Sequence, residues 1–373
     1  MNNKLLDTLA SINKEYGKDT IRFGLGYDTV PRIPFSSIRV NYMTYGGIPI
    51  GRTTEIFGPE SGGKTTTAID LVVQAQRLCE EDYANGLADY NTRLEDTKLT
   101  TKARSALEAE LEDFKADGPR RVLYVDTERT LDYAWAEKLG VDTSKLLVLD
   151  SGVNSAEEVL QSIVDLVGTG AIKLVVLDSV PMLIPQQLVD EDLSKKSFGG
   201  IAGVLTEFGK RITPRLRSNN TALLLINQVR DDLANPYNMY KTPGGKAVKH
   251  LSSVRLYVRK GHYIDADNRE VKGSEEHPYG NIVEIQVIKS KSFPPDRRVG
   301  SYTLRYDTGI DCVGDLLLHG AYLGVIEQAG AFFTLPEENG EGLKFRGRVA
   351  ALEYLRSNPE YYEWLYKKTL GTL

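Results

Sequence analysis

The chain has 373 residues, 41% hydrophobic and 26% charged, a composition typical of a globular protein with one large core and a small second domain. Cys79 and Cys312 are its two cysteines and form no C-x-x-C pair, which argues against a disulfide framework or a zinc site and favours a reducing compartment. Neither a membrane-spanning run nor a signal peptide is recognisable, so we expect a cytoplasmic protein without a membrane partner.

The net charge of −5 does not exclude nucleic acid as a partner, because the charge is unevenly distributed. Residues 80–118 contain 11 acidic and 5 basic side chains, so this segment accounts for −6 and the rest of the chain is at +1. A locally basic groove is therefore compatible with an acidic protein.

The chain begins with a pattern of apolar residues at helical spacing over residues 4–16, and Gly17 is a plausible end of that helix. A helix this short is marginal on its own and must pack on something. The pattern allows two interpretations, packing on the protein's own core or docking on a neighbouring subunit. The apolar face consists of Leu5, Leu6, Leu9, Ile12 and Tyr16.

The first strong motif is "GPESGGKTTT" at residues 58–67, which matches the pattern G-x-x-x-x-G-K-[ST]. The preceding "RTTEIF" predicts a strand and the following "AIDLVVQAQRL" predicts a helix. Strand, glycine-rich turn and helix start together form a cradle for the phosphates of ATP or GTP, with Lys64 on the β- and γ-phosphates and the Thr65 hydroxyl on Mg²⁺. The candidate loop residues are Gly58, Pro59, Glu60, Ser61, Gly62, Gly63, Lys64, Thr65 and Thr66.

Five short aliphatic runs, "TEIFG", "RVLYVD", "KLLVLD", "KLVVLD" and "ALLLIN", alternate with helical patterns and predict a parallel sheet covered on both faces. Residues 80–118 interrupt this alternation, and part of the segment has the pattern of a surface helix. Later runs, "SSVRLYVRK", "NIVEIQVIKSK" and "GSYTLRYD", alternate in polarity and suggest an antiparallel extension. After about Ile310 the pattern becomes mainly helical, as in a small appended domain.

A carboxylate on the Mg²⁺ side of the nucleotide is expected at a strand end, and three strands end in aspartate: Asp126, Asp150 and Asp178. The local sequence does not choose among them. Glu128, two residues beyond one strand end, could activate water, or it could be a surface or helix-capping glutamate.

The motifs "GPESGGKTT", "YVDTERTLD", "VVLDSV", "INQVR", "TPGGKAVK", "SSVRLYVRK" and "IKSK" occur in an order that resembles the bacterial RecA recombinase family. The resemblance covers nearly the whole chain. It implies an α/β fold with a P-loop RecA-type core and a mostly parallel twisted sheet over residues 29–310, interrupted by the insertion at 80–118. An oligomerisation helix and linker at 1–28 would precede this core, and a small C-terminal α+β domain at 311–373 would follow it.

The same resemblance implies roles for four residues around the nucleotide. Asp178 matches the aspartate on the Mg²⁺ side, and Glu128 matches the glutamate that orients the attacking water. Trp135 stands where the family has an adenine-stacking tyrosine, and a tryptophan can stack with a larger π-face. Asp132 matches a carboxylate near the adenine amino group.

Three more matched residues would link the nucleotide to DNA and to the neighbouring subunit. Gln228 matches a glutamine that senses the γ-phosphate, while Lys289 and Lys291 match lysines that reach the adjacent subunit's nucleotide. Two loops, at about 190–200 and 230–246, would bind DNA through glycines, cations and side chains that stack on bases. Their candidate residues are Lys195, Lys196, Phe198, Gly199, Gly200, Arg230, Tyr237, Met239, Tyr240, Lys241, Gly244, Gly245 and Lys246.

The function that the sequence favours is ATP- and Mg²⁺-dependent homologous recombination. A helical filament of this protein on single-stranded DNA would pair that strand with double-stranded DNA and hydrolyse ATP. Two alternatives are a ring-forming helicase with the same type of core and a non-hydrolysing scaffold that uses ATP as a structural ligand. The "GGKAVK" loop, the first helix and the C-terminal domain argue against the ring, and Glu128 argues against the scaffold.

Overall fold

The structure is a computed structural model that describes residues 3–16, 30–150, 154–189, 200–229, 241–272, 277–337, 340 and 342–371. It separates into two compact units, Met1–Pro31 and Arg32–Leu373, which are described one at a time. The described helices are α1 (Asn3–Tyr16), α2 (Ile38–Thr44), α3 (Lys64–Leu94), α4 (Thr101–Asp117), α5 (Tyr133–Lys138), α6 (Ala156–Gly168), α7 (Gln186–Val189), α8 (Ile201–Ser218), α9 (Gly245–Leu251), α10 (Cys312–Tyr322), α11 (Arg348–Ser357) and α12 (Pro359–Leu370). The described strands are β1 (Arg32–Ile33), β2 (Ile48–Pro49), β3 (Thr53–Gly58), β4 (Arg121–Asp126), β5 (Leu146–Asp150), β6 (Ile172–Asp178), β7 (Ala222–Gln228), β8 (Val254–Ile264), β9 (Glu270–Val271), β10 (Gly280–Ser290), β11 (Val299–Arg305), β12 (Gly309–Ile310), β13 (Glu327–Ala329), β14 (Phe332–Leu335) and β15 (Leu343–Arg346).

The described part of the first unit contains helix α1, which begins and ends close to the predicted positions. Two apolar side chains of its predicted face, Leu5 and Leu6, are exposed. Docking on a neighbouring subunit therefore remains a prediction for this face.

The second unit is built on a sheet of ten described strands, in the order β12-β11-β10-β8-β3-β7-β6-β4-β5, with β9 paired to β8. From β8 to β5 the neighbouring strands are parallel, and from β8 to β12 they are antiparallel. The predicted parallel sheet with an antiparallel extension is confirmed. Strand β8 forms the boundary, since it pairs in parallel with β3 and antiparallel with β10.

Both faces of the sheet are covered by helices. One cluster of buried side chains joins α3 to the sheet, and a second joins α6 and α8 to the other face. Successive residues of β4 alternate between the two clusters, as the geometry of a strand requires. The prediction of burial on both faces was wrong for β5, because this strand is at the edge of the sheet and exposes Leu147 and Val148.

The segment 80–118 forms a helical hairpin, which we define as the second half of α3 together with α4. Tyr83 stacks on Phe114 with ring centroids 5.1 Å apart, and Tyr90 packs on the same ring at 5.3 Å. Close approach of the two helices requires Gly86, where an added Cβ would lie 2.5 Å from the Phe114 ring. The predicted surface helix is present, and α3 also extends well beyond the sheet.

The C-terminal part of the chain surrounds a third hydrophobic cluster. It combines α10, the three-stranded antiparallel sheet β13-β14-β15, α11 and α12. Ile38 of α2 is buried in the same cluster, so the C-terminal elements pack on the start of the core. The helices and strands present agree with a small α+β region.

The structure also bears on the compositional arguments. Cys79 and Cys312 are both free. In the ranges described above, no helix is long and apolar enough to cross a membrane.

Two buried carboxyl groups connect the chain around α2 to distant helices. Asp70 of α3 accepts hydrogen bonds from the backbone N–H and the hydroxyl of Ser36. Asp315 of α10 accepts from the Ser37 hydroxyl at 2.5 Å. Burial raises the pKa of each carboxyl to about 6, although the serine hydrogen bonds oppose the shift.

This arrangement predicts a pH-dependent stability. The pKa of each carboxyl group is higher in the folded than in the unfolded chain. The stabilisation that these protonated groups give the folded state is therefore complete below about pH 4 and is lost between about pH 4 and 6. The Asp70→Asn/Asp315→Asn variant should lack this loss, which is at most about 3 kcal/mol per carboxyl. Urea unfolding of variant and wild type from pH 4 to 7 measures the difference. Asp117→Asn, at an exposed carboxyl, is the control, and identical pH profiles for all three proteins would contradict the prediction.

Candidate nucleotide site

The glycine-rich turn lies between β3 and α3, at the end of the sheet where the parallel strands finish. An added Cβ at Gly58 would lie 1.9 Å from the carbonyl oxygen of Val258, so this position has no space for a side chain. Gly63, immediately before α3, has φ +93°, a left-handed conformation that favours glycine. The turn therefore presents its backbone N–H groups at a helix N-terminus, the geometry that binds phosphate.

Lys64 begins α3, and its ammonium group donates to the carbonyl oxygen of Pro59 at 2.5 Å. Burial lowers the pKa of Lys64, while the charges of Asp178, Glu128 and Glu60 raise it in opposition. The lysine is therefore held over the turn, within the electrostatic influence of three carboxylates. A bound phosphate would accept the hydrogen bond of the Lys64 ammonium in place of the Pro59 carbonyl oxygen, and it would also supply a negative charge.

Asp178, at the end of β6, lies against the start of α3. Its carboxylate accepts from the Thr65 hydroxyl at 3.1 Å and from the Tyr124 hydroxyl at 2.7 Å. Burial is the largest cause of its raised pKa. One hydroxyl and one carboxylate suit Mg²⁺, which keeps several waters and takes its other ligands from phosphate. No group of three or more His, Cys, Asp or Glu side chains in the described ranges forms a metal site of its own.

The other two strand-end aspartates have different partners. Asp126 accepts from the backbone N–H groups of Thr130 and Leu131 and so shapes the turn after β4. Asp150 pairs with Arg129 at 2.7 Å and is exposed. Of the three candidates that the sequence left open, Asp178 is thus the one that contacts Thr65.

Glu128 lies in a tightly connected corner between the ends of β4 and β6. The Ser179 hydroxyl donates to its carboxylate. Ser179 N–H donates to the Thr127 hydroxyl at 2.7 Å, and that hydroxyl donates to the Ser179 carbonyl oxygen at 3.0 Å. These bonds hold the glutamate near Lys64, where its charge opposes the lowering of the Lys64 pKa by burial. A carboxylate fixed in this way can orient a water molecule.

A cavity of about 370 Å³ adjoins the turn and has the size of a small-molecule site. Trp135 of α5 forms part of its wall, and its stacking on adenine stays a prediction. Asp132 instead caps α5, accepting from the Trp135 N–H at 3.0 Å, and does not line the cavity. The cavity is lined by Ser61, Gly62, Gly63, Lys64, Thr65, Thr66, Trp135, Lys260, Asn281, Leu304 and Tyr306.

Four of these lining residues, Leu304 and three polar ones, were missed by the sequence analysis. Lys260, Asn281 and Tyr306 come from the antiparallel part of the sheet, and the Tyr306 hydroxyl donates to Asn281 at 2.9 Å. Lys260 ends the motif "SSVRLYVRK", but the local sequence does not place any of the three beside the turn, because strand pairing brings them there. Tyr306 adds a second aromatic ring to the cavity that contains Trp135.

Gln228 ends β7 directly beside the glycine-rich turn. It is the register partner of Gly58, and the next residue, Val229, donates its N–H to the Gly58 carbonyl oxygen at 3.3 Å. The chain then enters the second predicted DNA loop. The glutamine therefore joins the nucleotide turn to that loop.

Lys289 and Lys291 lie at the end of the sheet opposite to the glycine-rich turn, at the end of the interior strand β10. The Lys289 ammonium donates to the carbonyl oxygens of Lys249 and Ser252, at the end of α9. Lys291 is exposed, and its N–H donates to the Ser253 carbonyl oxygen at 2.8 Å. Neither lysine lines the cavity next to the turn.

The predicted DNA loops lie largely outside the described residues. Gly200 directly precedes α8 and has φ +117°, Gly244 directly precedes α9 and has φ +78°, and Gly245, the first residue of α9, has φ +56°. Lys241 and Lys246, on either side of these two glycines, are exposed. Outside the described residues are Lys195, Lys196, Phe198, Gly199, Arg230, Tyr237, Met239 and Tyr240.

The aromatic cavity gives a specific prediction for nucleotide affinity. The Trp135→Ala variant should raise the KM for ATP about tenfold, because stacking on an aromatic ring contributes about 1–3 kcal/mol per base. Trp135→Phe should recover most of this loss. Trp364, the other tryptophan, is in α12 and provides the control Trp364→Phe. ATP should change the tryptophan fluorescence of the control but not of Trp135→Phe, and an unchanged KM in Trp135→Ala would refute the adenine assignment.

Comparison with known proteins identifies close similarity over nearly the whole chain. The family model described as RecA N-terminal domain matches residues 3–85 and 98–311. Protein RecA of Thermus aquaticus is 35% identical over 371 residues, 98% of this chain and 93% of that protein. Protein RecA of Paenarthrobacter aurescens is 32% identical over 372 residues, with 97% and 91% covered. Residues 86–97, which the family model leaves unmatched, lie at the tip of the helical hairpin and are fewer than the predicted insertion.

Proposed function

The chain belongs to the RecA family, and from this we propose that it is a DNA-dependent ATPase whose helical filament pairs a single DNA strand with homologous duplex DNA. It is a RecA-like recombination protein, since relatives of that name match it over 97–98% of its length. The similarity includes the first helix and the C-terminal region. A ring-forming helicase or a non-hydrolysing scaffold is therefore not favoured.

The observation that best supports a filament is the position of the two lysines relative to the nucleotide turn. Ser253 precedes β8 and donates its N–H to Thr53 at the start of β3, at 2.8 Å. The turn begins at Gly58, five residues later, or about 17 Å along the strand. The Lys289 ammonium at the Ser252 carbonyl is thus distant from the turn of its own subunit. A head-to-tail contact would bring it to the turn of the next subunit, and an unclosed contact of this kind produces a helix.

The residues at the nucleotide site would have separate roles in ATP hydrolysis. Glu128 would orient the attacking water, and Lys64 would stabilise the charge that develops on the γ-phosphate oxygens. Thr65 and Asp178 would hold Mg²⁺, which neutralises phosphate charge when bound. Lys289 and Lys291 of the neighbouring subunit would add cations from the far side, as an arginine finger does.

Gln228 would connect hydrolysis with DNA binding. Its backbone is paired with Gly58, and the DNA loop follows directly after it. A γ-phosphate contact with the Gln228 side chain would favour one position of that loop, and loss of the phosphate would release it. ATP would then stabilise the DNA-binding state and hydrolysis would end it.

The direct test measures ATP turnover with and without single-stranded DNA, together with formation of joint molecules between that strand and homologous duplex. We expect DNA-stimulated turnover, joint molecules that depend on ATP, and filaments in negative-stain images. DNA binding should weaken steeply with salt, because phosphate contacts release counterions. Rings with unwinding activity, or ATP binding without any turnover, would overturn the proposal.

A further inference from the structure

A buried ion pair crosses the centre of the sheet, one strand away from the second predicted DNA loop. Glu55 of β3 is completely buried, and the guanidinium of Arg255 in β8, also buried, donates to its carboxylate. The same guanidinium lies over the Phe57 ring, 4.4 Å from its centroid. An ion pair without access to water costs desolvation energy and requires further hydrogen bonds to be tolerated.

Asn227 of β7 supplies the further hydrogen bonds. Its amide nitrogen donates to the Glu55 carboxylate and to the Pro243 carbonyl oxygen, both at 3.0 Å. Its side-chain oxygen accepts from the Gln228 N–H, also at 3.0 Å. The amide thus has partners on three different segments of the chain. We refer to Glu55, Asn227 and Arg255 as the Glu55 cluster.

Three residues of this hydrogen-bonded network each adjoin an element that the proposed function uses: Glu55, Pro243 and Arg255. Glu55 is three residues before Gly58, where the nucleotide turn begins. Pro243 lies near the C-terminal end of the second predicted DNA loop, two residues before α9, so its carbonyl marks the base of that loop. Arg255 is the register partner of Lys289, one of the two lysines proposed to reach the next subunit.

We propose that the Glu55 cluster is the positioning element through which the nucleotide site, the second DNA loop and the intersubunit lysines move together. The inference rests on the proposed function and adds residues to it. A buried polar group left without a partner costs about 1–3 kcal/mol. A shift of Gln228 or of Pro243 therefore draws Asn227 with it, because breaking the bonds separately costs more than moving the connected segments.

Unused hydrogen-bonding groups at the cluster allow a second arrangement. The Nη2 atom of Arg255 and the hydroxyl of Thr242 are buried and have no hydrogen-bond partner among the described residues. Thr242 directly precedes Pro243, so it moves with the base of the loop. A displacement of that base can exchange existing bonds for new ones without exposing the ion pair, which is what a two-position element requires.

The test compares coupling with the two separate activities. In Asn227→Ala we expect basal ATP turnover within about twofold of wild type, but a loss of about fivefold or more in the stimulation by single-stranded DNA. The tightening of DNA binding by ATP should also fall, and the tightening of ATP binding by DNA should fall by the same factor, because a coupling free energy between two binding sites acts equally in both directions. Stimulation factors and DNA affinities, with and without ATP, are measured for each protein.

Asn41→Ala is a matched control. Asn41 is buried like Asn227, and it also makes three hydrogen bonds, to the N–H and carbonyl of Phe35 and to the Tyr366 hydroxyl. It contacts none of the elements proposed to move. Its loss should lower stability as much as that of Asn227 while leaving the stimulation factor unchanged.

A second variant decides the question if Asn227→Ala does not fold. Glu55→Leu/Arg255→Met replaces the ion pair by apolar side chains of similar size, a change that buried pairs often tolerate. It should also hydrolyse ATP and bind DNA with weak coupling. Full stimulation of ATP turnover by DNA in a folded cluster variant would overturn the inference, and so would an equal loss of stimulation in Asn41→Ala. In either case, DNA-stimulated turnover of the wild type would still support the proposed function. Absence of stimulation in wild type would defeat the proposed function itself.

Discussion

The Lys64→Ala variant is expected to lose ATP hydrolysis by roughly 100-fold or more while it remains folded. The glycine-rich turn keeps its shape without this side chain, since that shape depends on Gly58 and Gly63 and on the start of α3. The γ-phosphate, however, loses the cation that lies over the turn. Stability should hardly fall, because the ammonium is buried at a cost and its described hydrogen bond is to the Pro59 carbonyl.

Turnover of Lys64→Ala is measured beside its thermal unfolding curve and its affinity for a fluorescent ATP analogue. Lys210→Ala is the control, because Lys210 is an exposed lysine of α8 paired with Glu207. The control should hydrolyse ATP normally. Near wild-type turnover in well-folded Lys64→Ala would remove the assignment of the turn as the nucleotide site.

The sequence predicts the nucleotide turn well because the turn is a local structure. Gly58, Gly63, Lys64 and Thr65 are within eight residues, and the strand before them and the helix after them have their own periodic patterns. Asp178 could not be selected in this way. Its contact with Thr65 joins positions more than a hundred residues apart and depends on the order of β3, β7 and β6 in the sheet.

The resemblance to a family supplied what local patterns could not, but only for residues that the family motifs contain. Asn281 and Tyr306 line the same cavity and belong to no such motif, and the motif that ends at Lys260 gave that lysine no role. Glu55 is the one charged residue of β3, whereas β8 also contains Arg259 and Lys260. The pairing of Glu55 with Arg255 becomes visible only when β3 and β8 are neighbours. Long-range pairing, which sequence periodicity does not encode, explains each of these omissions.

Edge position explains the one strand that departs from expectation. The run "KLLVLD" is as apolar as its neighbours, so periodicity alone predicts a fully covered strand. Among the described strands β5 pairs with β4 alone, and its Leu147 and Val148 are exposed. An exposed apolar edge is a surface that proteins usually cover.

A shared active site gives the last prediction. The Lys289→Ala/Lys291→Ala variant should retain little DNA-stimulated ATP turnover, because every nucleotide would lack the cations of its neighbour. Lys291 is exposed, whereas the Lys289 ammonium is bound by two carbonyl oxygens at the end of α9. Lys291→Ala alone is therefore the milder variant, since it leaves α9 undisturbed. Most of the stimulation should already be lost in it if Lys291 reaches the phosphates directly.

Mixing separates a shared site from damage within one subunit. Glu128→Gln keeps both lysines but cannot orient water, so it should be inactive alone. When it is mixed with the lysine variant in equal amounts, about one in four interfaces of a random filament combines an intact Glu128 with intact lysines from the neighbour. Turnover should therefore recover in part, and recovery should require DNA. If the lysine variant alone keeps full DNA-stimulated turnover, or if the mixture recovers nothing while both proteins enter one filament, each subunit hydrolyses ATP without its neighbour's lysines.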